Sequence, residues 1–216
     1  MLKSKKILVT AGPTYEYLDD IRFIGNRSSG KQGVEIAKCL QKLKADVTLV
    51  IGPVNLDLSS LSKVIRVESA VQMNDAVIET GPFDIAICAA AVSDWRPKEK
   101  AKTKIKKSSI GKPQFLELVE NPDILKNICI AENRPNLVIG FAAETNDLLT
   151  NARSKLKNKG CDWIVANKVT AQSNNMGGGD NEVIIIKKNE EIKFARQSKE
   201  GIAKLICKKI VEEFSG

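Results

Sequence analysis

The sequence predicts an α/β protein built on a doubly wound parallel sheet, and three observations predict it. Short apolar runs recur along the chain, among them KILVT, DVTLVI, DIAICAAA and LVIGFA. Such runs fit strands covered on both faces. Between them lie stretches with apolar residues three and four apart, the spacing of helices packed over a sheet. Gly-Pro pairs close three of the segments, at Gly12-Pro13, Gly52-Pro53 and Gly81-Pro82, as turns between elements do.

The elements follow in order. Lys6–Thr10 is a strand that runs into the turn Ala11-Gly12-Pro13. Gly33 to Lys44 is a helix with Ile36, Ala37, Leu40 and Leu43 on one face. Asp46–Ile51 is the second strand and Lys63–Val67 a short third. Ala70 to Glu79 is a helix ended by Gly81-Pro82, and Asp84–Ala91 is a fourth, buried strand.

Arg96 to Lys112 breaks the pattern. Lys98, Lys100, Lys102, Lys104, Lys106 and Lys107 nearly alternate there. The segment is too polar for a core and reads as either a mobile flap or an exposed ribbon. Lys104–Lys107 and Phe115–Glu120 flank Gly111-Lys112-Pro113 as the expected arms of a hairpin. Asn121-Pro122-Asp123 then opens a helix, with proline early and aspartate near the N-terminus.

Leu137–Ala142 is the fifth strand. Asp147 to Lys159 is a helix ending at Gly160, and Trp163–Ala166 is the sixth strand. Asn174 to Asn181 reads as a loop. Val183–Lys188 and Ile192–Arg196 flank Asn189-Glu190-Glu191 as a late antiparallel hairpin. Gly201 to Phe214 closes the chain as a helix, with Ile202, Leu205, Ile206, Ile210 and Phe214 inward. The expected whole is a single domain over residues 1–216, Rossmann-like, with a lysine-rich flap inserted at about 96–120.

The totals narrow the chemistry. A net charge of +8 suggests an anionic partner: a phosphorylated small molecule, nucleic acid or a membrane surface. A merely solvated basic surface fits the charge equally. The absence of histidine excludes His-based triads, His–metal sites and imidazole acid–base catalysis. The cysteines at 39, 88, 129, 161 and 207 form no C-x-x-C pair, so neither a zinc site nor a disulfide framework is indicated. They suit a reducing compartment. The N-terminal apolar run is too short for a signal peptide, and no stretch reaches the roughly 20 apolar residues of a membrane span. The expected location is cytoplasmic, without a membrane partner.

Four strand ends carry small or unusual residues: AGPT, CAAAVSD, GFAAET and ANKV. Ligands of doubly wound folds sit beyond those ends, and small residues let them approach closely. Asn26-Arg27-Ser28-Ser29-Gly30 precedes the first helix, where it either binds a phosphate or simply caps the helix. Lys155 and Lys159 share a helix face, either gripping a polyphosphate or facing solvent. Asp94 is read as a ligand for a hydroxyl, an amide or a metal, or as a turn residue. Trp95 beside it is a lid or ordinary packing.

Two other readings are set aside. CAAAVSD is similar to a strand end of short-chain dehydrogenases that bind NAD(P). But the second strand ends without an acidic residue, Tyr15 and Tyr17 lack a lysine four residues on, and G-x-G-x-x-G is absent. A lysine-rich ribbon suits nucleic acid, yet Arg96–Gly111 has no aromatic residue to stack on bases and no binding motif appears.

GPT followed by DDIRFIGNRSSGKQG, then AAAVSDW, the KIKK at Lys104–Lys107, NPDIL, GFAAET and ANKV, occur in one order over nearly the whole chain. In this the sequence resembles phosphopantothenoylcysteine synthetase, the phosphopantothenate–cysteine ligase of coenzyme A synthesis. The resemblance implies a stand-alone bacterial synthetase, or the excised half of a fusion with a flavin-dependent decarboxylase, which would then be a separate partner. It implies a homodimer with a shared active site. It also implies a two-step reaction: 4′-phosphopantothenate is activated by a nucleotide, CTP rather than ATP, with Mg2+. Cysteine then takes the acyl group.

The resemblance further assigns residues. Asn26 would bind the substrate carboxylate and the acyl intermediate. Ala90, Ala91 and Asp94 would hold the pantothenate arm, with Arg22 of the partner subunit. Gly12, Ser28, Gly30 and Gly33 would line the nucleotide phosphates. Asp94, Asn121, Pro122, Asp123, Ile124, Phe141 and Asn167 would border the nucleotide, with Lys155 and Lys159 in contact. Lys104 would contact the nucleotide from the flap and would matter most in the cysteine step. Gly25 stands where a larger residue is usual, and Gln32 where methionine is common. Tyr15 and Tyr17 also differ from the common pattern.

Overall fold

In the computed structural model, residues 2–106, 115–168 and 180–214 are described. The first strand, β1 (Lys6–Ala11), is followed by a small hairpin of β2 (Tyr15–Tyr17) and β3 (Phe23–Gly25). Then come α1 (Lys31–Lys42), β4 (Asp46–Ile51), β5 (Val64–Arg66), α2 (Ala70–Thr80) and β6 (Ile85–Cys88). A second small ribbon, β7 (Trp95–Pro97) with β8 (Leu118–Glu120), leads to α3 (Ile124–Ile130). β9 (Leu137–Glu144), α4 (Leu148–Lys159), β10 (Trp163–Lys168), β11 (Asp180–Ile186), β12 (Glu191–Ser198) and α5 (Lys199–Glu213) complete the chain.

The main sheet has eight strands in the order β12-β11-β10-β9-β6-β1-β4-β5. From β5 to β10 all neighbours are parallel, and β11 and β12 are antiparallel additions. Reading the parallel strands in chain order gives 3-2-1-4-5-6, the order of dinucleotide-binding folds. The expected α/β architecture is therefore present, late hairpin included.

Both faces of the sheet are covered, which is why its strands read as continuous apolar runs. Every residue of β1 and β4 after the first is buried. Ile7, Val9, Leu49 and Ile87 face the layer of α1 and α5, with Ile36, Leu40, Ile202 and Ile206. Leu8, Val50, Ala86 and Val138 face α2, α3 and α4, with Met73, Ile128 and Ala152. Each fully buried aliphatic side chain contributes about 1.5–3 kcal/mol. Helix α2 starts with a capping box, Ser69 Oγ accepting from Gln72 N at 3.2 Å while Gln72 Oε1 accepts from Ser69 N at 3.2 Å. No helix among the described residues is long and apolar enough to cross a membrane.

The structure corrects several boundaries. Leu118–Glu120 pairs antiparallel with Trp95–Pro97, not with Lys104–Lys107. The expected turn at Gly111-Lys112-Pro113 lies outside the described residues, as does Lys107. Asp180 and Asn181, read as loop, begin β11, and the rest of that loop is outside the described residues. Helix α5 starts at Lys199, two residues before Gly201. The β2–β3 hairpin had no counterpart in the sequence reading. Its turn is held by a side chain: Asp19 Oδ1 accepts from Ile21 N at 2.9 Å and from Arg22 N at 2.8 Å.

Candidate active site

β1 leads through α1 to β4 on one side of it, whereas β6 leads onward to β9 on the other. A crevice therefore opens at the carboxyl ends of β1 and β6. The segments leaving these strands stay laced together. Ala89 N donates to Thr10 O at 3.1 Å and Ala91 N to Gly12 O at 2.8 Å. Ser93 N donates to Thr14 Oγ1 at 3.0 Å.

Three glycines shape the floor of this crevice. Gly12 and Gly30 both have positive φ, +77° and +71°. A Cβ on Gly30 would lie 3.2 Å from Gly12 Cα, and one on Gly33 only 2.6 Å from Ala11 Cβ. A tight turn, as at Gly12, and close helix-to-strand packing, as at Gly33, are two of the three jobs of the glycines in a dinucleotide fingerprint. The fingerprint is unreadable in the sequence because the β2–β3 hairpin is spliced between its first and second glycines. Gly30 itself is the N-cap of α1, and no side chain caps the helix. Ser28 Oγ accepts from Gly30 N at 3.3 Å and Ser29 Oγ from Lys31 N at 3.4 Å, which shapes the turn before the helix. Of the two readings of these serines, capping is thus the one the geometry does not follow.

Two cavities meet at the crevice. One, of about 320 Å3, is lined by Ala90, Asp94, Trp95, Asn121, Pro122, Asp123, Ile124, Phe141, Lys155 and Lys159 among others. The second, of about 370 Å3, is lined by Asn26, Ser28, Ser29, Gly30, Lys31, Gln32, Gly33, Ala90, Ala91, Asp94, Phe141, Lys155, Asn167 and Lys199, again among others. Ala90, Val92, Asp94, Phe141 and Lys155 belong to both walls.

Side-chain hydrogen bonds fix these walls. Asn26 Nδ2 donates to Val92 O at 3.0 Å. Asn121 Nδ2 donates to Ser93 O at 2.9 Å, and its backbone N to Asp94 O at 2.8 Å. Asp123 caps α3, its Oδ1 accepting from Lys126 N at 3.1 Å, while its Oδ2 pairs with Lys159 Nζ of α4. Burial, and then the neighbouring Lys159, hold the Lys155 ammonium below the ordinary lysine range. Burial likewise pushes the Cys88 thiol up, so it is inert at neutral pH.

Three residues assigned by resemblance do not line either cavity. Gly12 lies beneath, as the backbone neighbour of Gly30. Arg22 and Lys104 sit together elsewhere. Arg22 forms a forked pair with the fully buried Asp19, Nε at 3.0 Å and Nη2 at 2.7 Å from Oδ2. The same Oδ2 accepts from Ile105 N at 3.0 Å, and Arg22 Nη2 donates to Ile105 O. One aspartate thus ties the β2–β3 hairpin to the lysine-rich segment, next to Lys104. Burial alone would raise the Asp19 carboxyl, but donation from Ile105, Ile21 and Arg22 outweighs it and holds the group far below the usual carboxylate range.

The sequence reading missed Lys199, which is only 3% exposed and lines the second cavity. It also missed what Gln32 does: its Nε2 donates to Lys199 O at 3.0 Å, fastening the start of α5 to the start of α1. The one available signal was topological. Counting antiparallel turns from β10 puts the end of β12 on the same sheet edge as the other strand ends.

The family described as the DNA/pantothenate metabolism flavoprotein C-terminal domain matches residues 2–214. The chain belongs to this family. Among curated relatives, the coenzyme A biosynthesis bifunctional protein CoaBC of Vibrio cholerae is 42% identical over 215 residues, 99% of this chain and 54% of that protein. The chain thus spans about half the length of the curated relatives it matches. The family fold is the one seen here: a crystal structure of the C-terminal domain of a CoaBC protein covers 99% of this chain and 97% of its own, with a TM-score of 0.81 at 36% identity. A Cab2 mutant in complex with phosphopantothenate-cysteine shares the fold at 14% identity, with a TM-score of 0.73 over 97% of this chain and 86% of its own.

Proposed function

We propose that this chain is a phosphopantothenate–cysteine ligase of coenzyme A biosynthesis, CTP-dependent in preference to ATP. The observation that carries the reading is the pair of cavities sharing one wall at the β1/β6 crevice. A reaction that joins an acid to a nucleotide needs two adjoining berths with the reacting atoms at their boundary. Asp94 and Lys155 belong to both walls, and Asn26, of the second cavity, donates to Val92, which also belongs to both.

In the first step a carboxylate oxygen of 4′-phosphopantothenate attacks the α-phosphorus of CTP. The bond from that phosphorus to the bridging oxygen breaks, releasing pyrophosphate and leaving an acyl-cytidylate. In the second step the cysteine amine attacks the acyl carbon. The acyl–oxygen bond breaks, CMP leaves, and the amine proton passes to solvent. Both steps depend on position and charge neutralisation more than on a titrating base, which suits a chain without histidine. The uncapped N-terminus of α1 offers N–H groups and partial positive charge to phosphates. The Asn26 amide, beside the Val92 carbonyl, is positioned to donate to a carboxylate and then to the acyl oxygen.

Among the described residues no three Cys, Asp or Glu side chains cluster to hold a metal. Mg2+ would be carried mainly on the triphosphate with its own waters, where it would offset phosphate charge. A homodimer is supported by exposed apolar side chains on the two small ribbons and next to them. Ile21, Phe23, Leu118 and above all Phe115, 86% exposed, present apolar surface to solvent.

Pyrophosphate release with 4′-phosphopantothenate and Mg2+ tests the reading, with CTP and ATP in parallel and with and without cysteine. Release with CTP that cysteine drives into multiple turnovers is the expected result. Release with ATP alone would keep the reaction and overturn the nucleotide choice, and no release with either would overturn the reading.

A further inference from the structure

Lys199 opens α5, and Ser198 caps the helix, its Oγ accepting from Gly201 N at 3.0 Å. The Lys199 carbonyl is held by Gln32. Its ammonium, by contrast, has no hydrogen-bond or ion-pair partner among the described residues, although the residue is only 3% exposed, its tip opening on the second cavity. Buried charges are normally paired, because desolvation is otherwise uncompensated. The neighbourhood is itself cationic: Lys31 and Lys155 line the same cavity, with Asp94 the one carboxylate in its wall among the described residues. Burial, then Lys31, hold the Lys199 ammonium below the ordinary lysine range. The opening of the uncapped helix α1 faces the same space, through Gly30 and Lys31.

We propose that Lys199 is a phosphate-binding residue of the second cavity, holding the β- and γ-phosphates of the nucleotide, and hence departing pyrophosphate, from the α5 side. This rests on the reading that the cavity takes a nucleoside triphosphate. The anion replaces the solvation that burial removed, and the paired ammonium offsets the charge that builds on pyrophosphate as the bond to the α-phosphorus breaks. Gln32 positions the residue by fixing its backbone from α1, so the two sides of the phosphate site are joined by one hydrogen bond.

Titration calorimetry with inorganic pyrophosphate tests this without reference to the base or the acid. Wild type, K199M, K199R and K204M are compared, Lys204 being an α5 lysine paired with Glu200 at 2.7 Å and absent from the cavity wall. K199M is expected to weaken pyrophosphate binding about tenfold or more, the loss of a charged hydrogen bond. K199R restores most of it, and K204M matches wild type. K199M removes an unpaired buried charge, so it should melt at or above the wild-type temperature. If it does not fold, K199Q takes its place in the same comparison. In the ligase assay, K199M raises KM for the nucleotide and leaves KM for 4′-phosphopantothenate unchanged.

Equal pyrophosphate binding by K199M and wild type overturns the inference, as does no binding by wild type. A wild-type protein that ligates normally while K199M is unimpaired sinks the role of Lys199 alone. A wild-type protein that binds pyrophosphate through Lys199 but ligates nothing sinks the ligase reading alone.

Discussion

The Asn26 side chain donates to the Val92 carbonyl at 3.0 Å, joining the loop before α1 to the loop after β6. Those two loops come from opposite sides of the crevice, and the amide lines the second cavity beside Val92, which belongs to both. Asn26→Ala is expected to lower kcat for pyrophosphate release by about 10²–10³, the usual loss when one donor to a developing charge is removed. The fold should be intact, because Asn26 is exposed and buries nothing. Full activity in the variant would refute the role given to the amide.

Asp19 makes a pH prediction. Its carboxyl is held far below the ordinary range in the folded chain, whereas in the unfolded chain it titrates near about 3.9. Between those values the unfolded state binds the extra proton, so the stabilising contribution is present above about pH 4 and lost as pH falls. Thermal melting from pH 7 to pH 3 should therefore show a shallower acid dependence for Asp19→Asn than for wild type, from a lower starting point. Parallel curves would mean that the bonds to Arg22 and Ile105 carry no stability.

Gly33 tests the packing of α1 on β1. A methyl there would sit 2.6 Å from Ala11 Cβ, which neither backbone can accept without moving. Gly33→Ala should be destabilised by about 1–3 kcal/mol, as overpacked cores are. The urea midpoint reads this directly, with the slope unchanged. An unaltered midpoint would show that α1 slides freely.

Cys39 should be the reactive cysteine. The neighbouring Cys207 thiol, then the charges of Lys42 and Lys204, bring its thiol down to about 7 against the opposing effect of burial. Burial pushes Cys129 up to about 11 and Cys161 to about 12. A short iodoacetamide pulse at pH 7.5, read by peptide mass spectrometry, should label Cys39 first. Cys207→Ala should slow that labelling. Preferential labelling of Cys161 would contradict the account.

Periodicity and strand-end chemistry made most of this fold legible. Asp46–Ile51 was read to the residue, since an apolar run bounded by Lys44 and Gly52 leaves little freedom. What escaped depended on contacts distant in sequence. The near-alternating lysines before 107 look like a strand, but β8 pairs with Trp95–Pro97, whose Arg96 also reaches Glu120 O and Asn121. The β2–β3 hairpin escaped because its strands have three residues each and its turn relies on Asp19 rather than on glycine. The cavity walls were readable because small residues and the SSG turn mark them locally. Lys199 was not, because its burial depends on α5 crossing back onto α1.

The splicing of a hairpin between Gly12 and Gly30 has a thermodynamic corollary. On the proposed reading, the residues that would receive phosphate and the residue that would meet the acid are links of one short peptide, from Asn26 to Gly30. Ligand on either side must stiffen or shift the same few bonds. Affinities measured for nucleotide and acid separately will then differ from those measured together, and linkage requires the same factor in both directions.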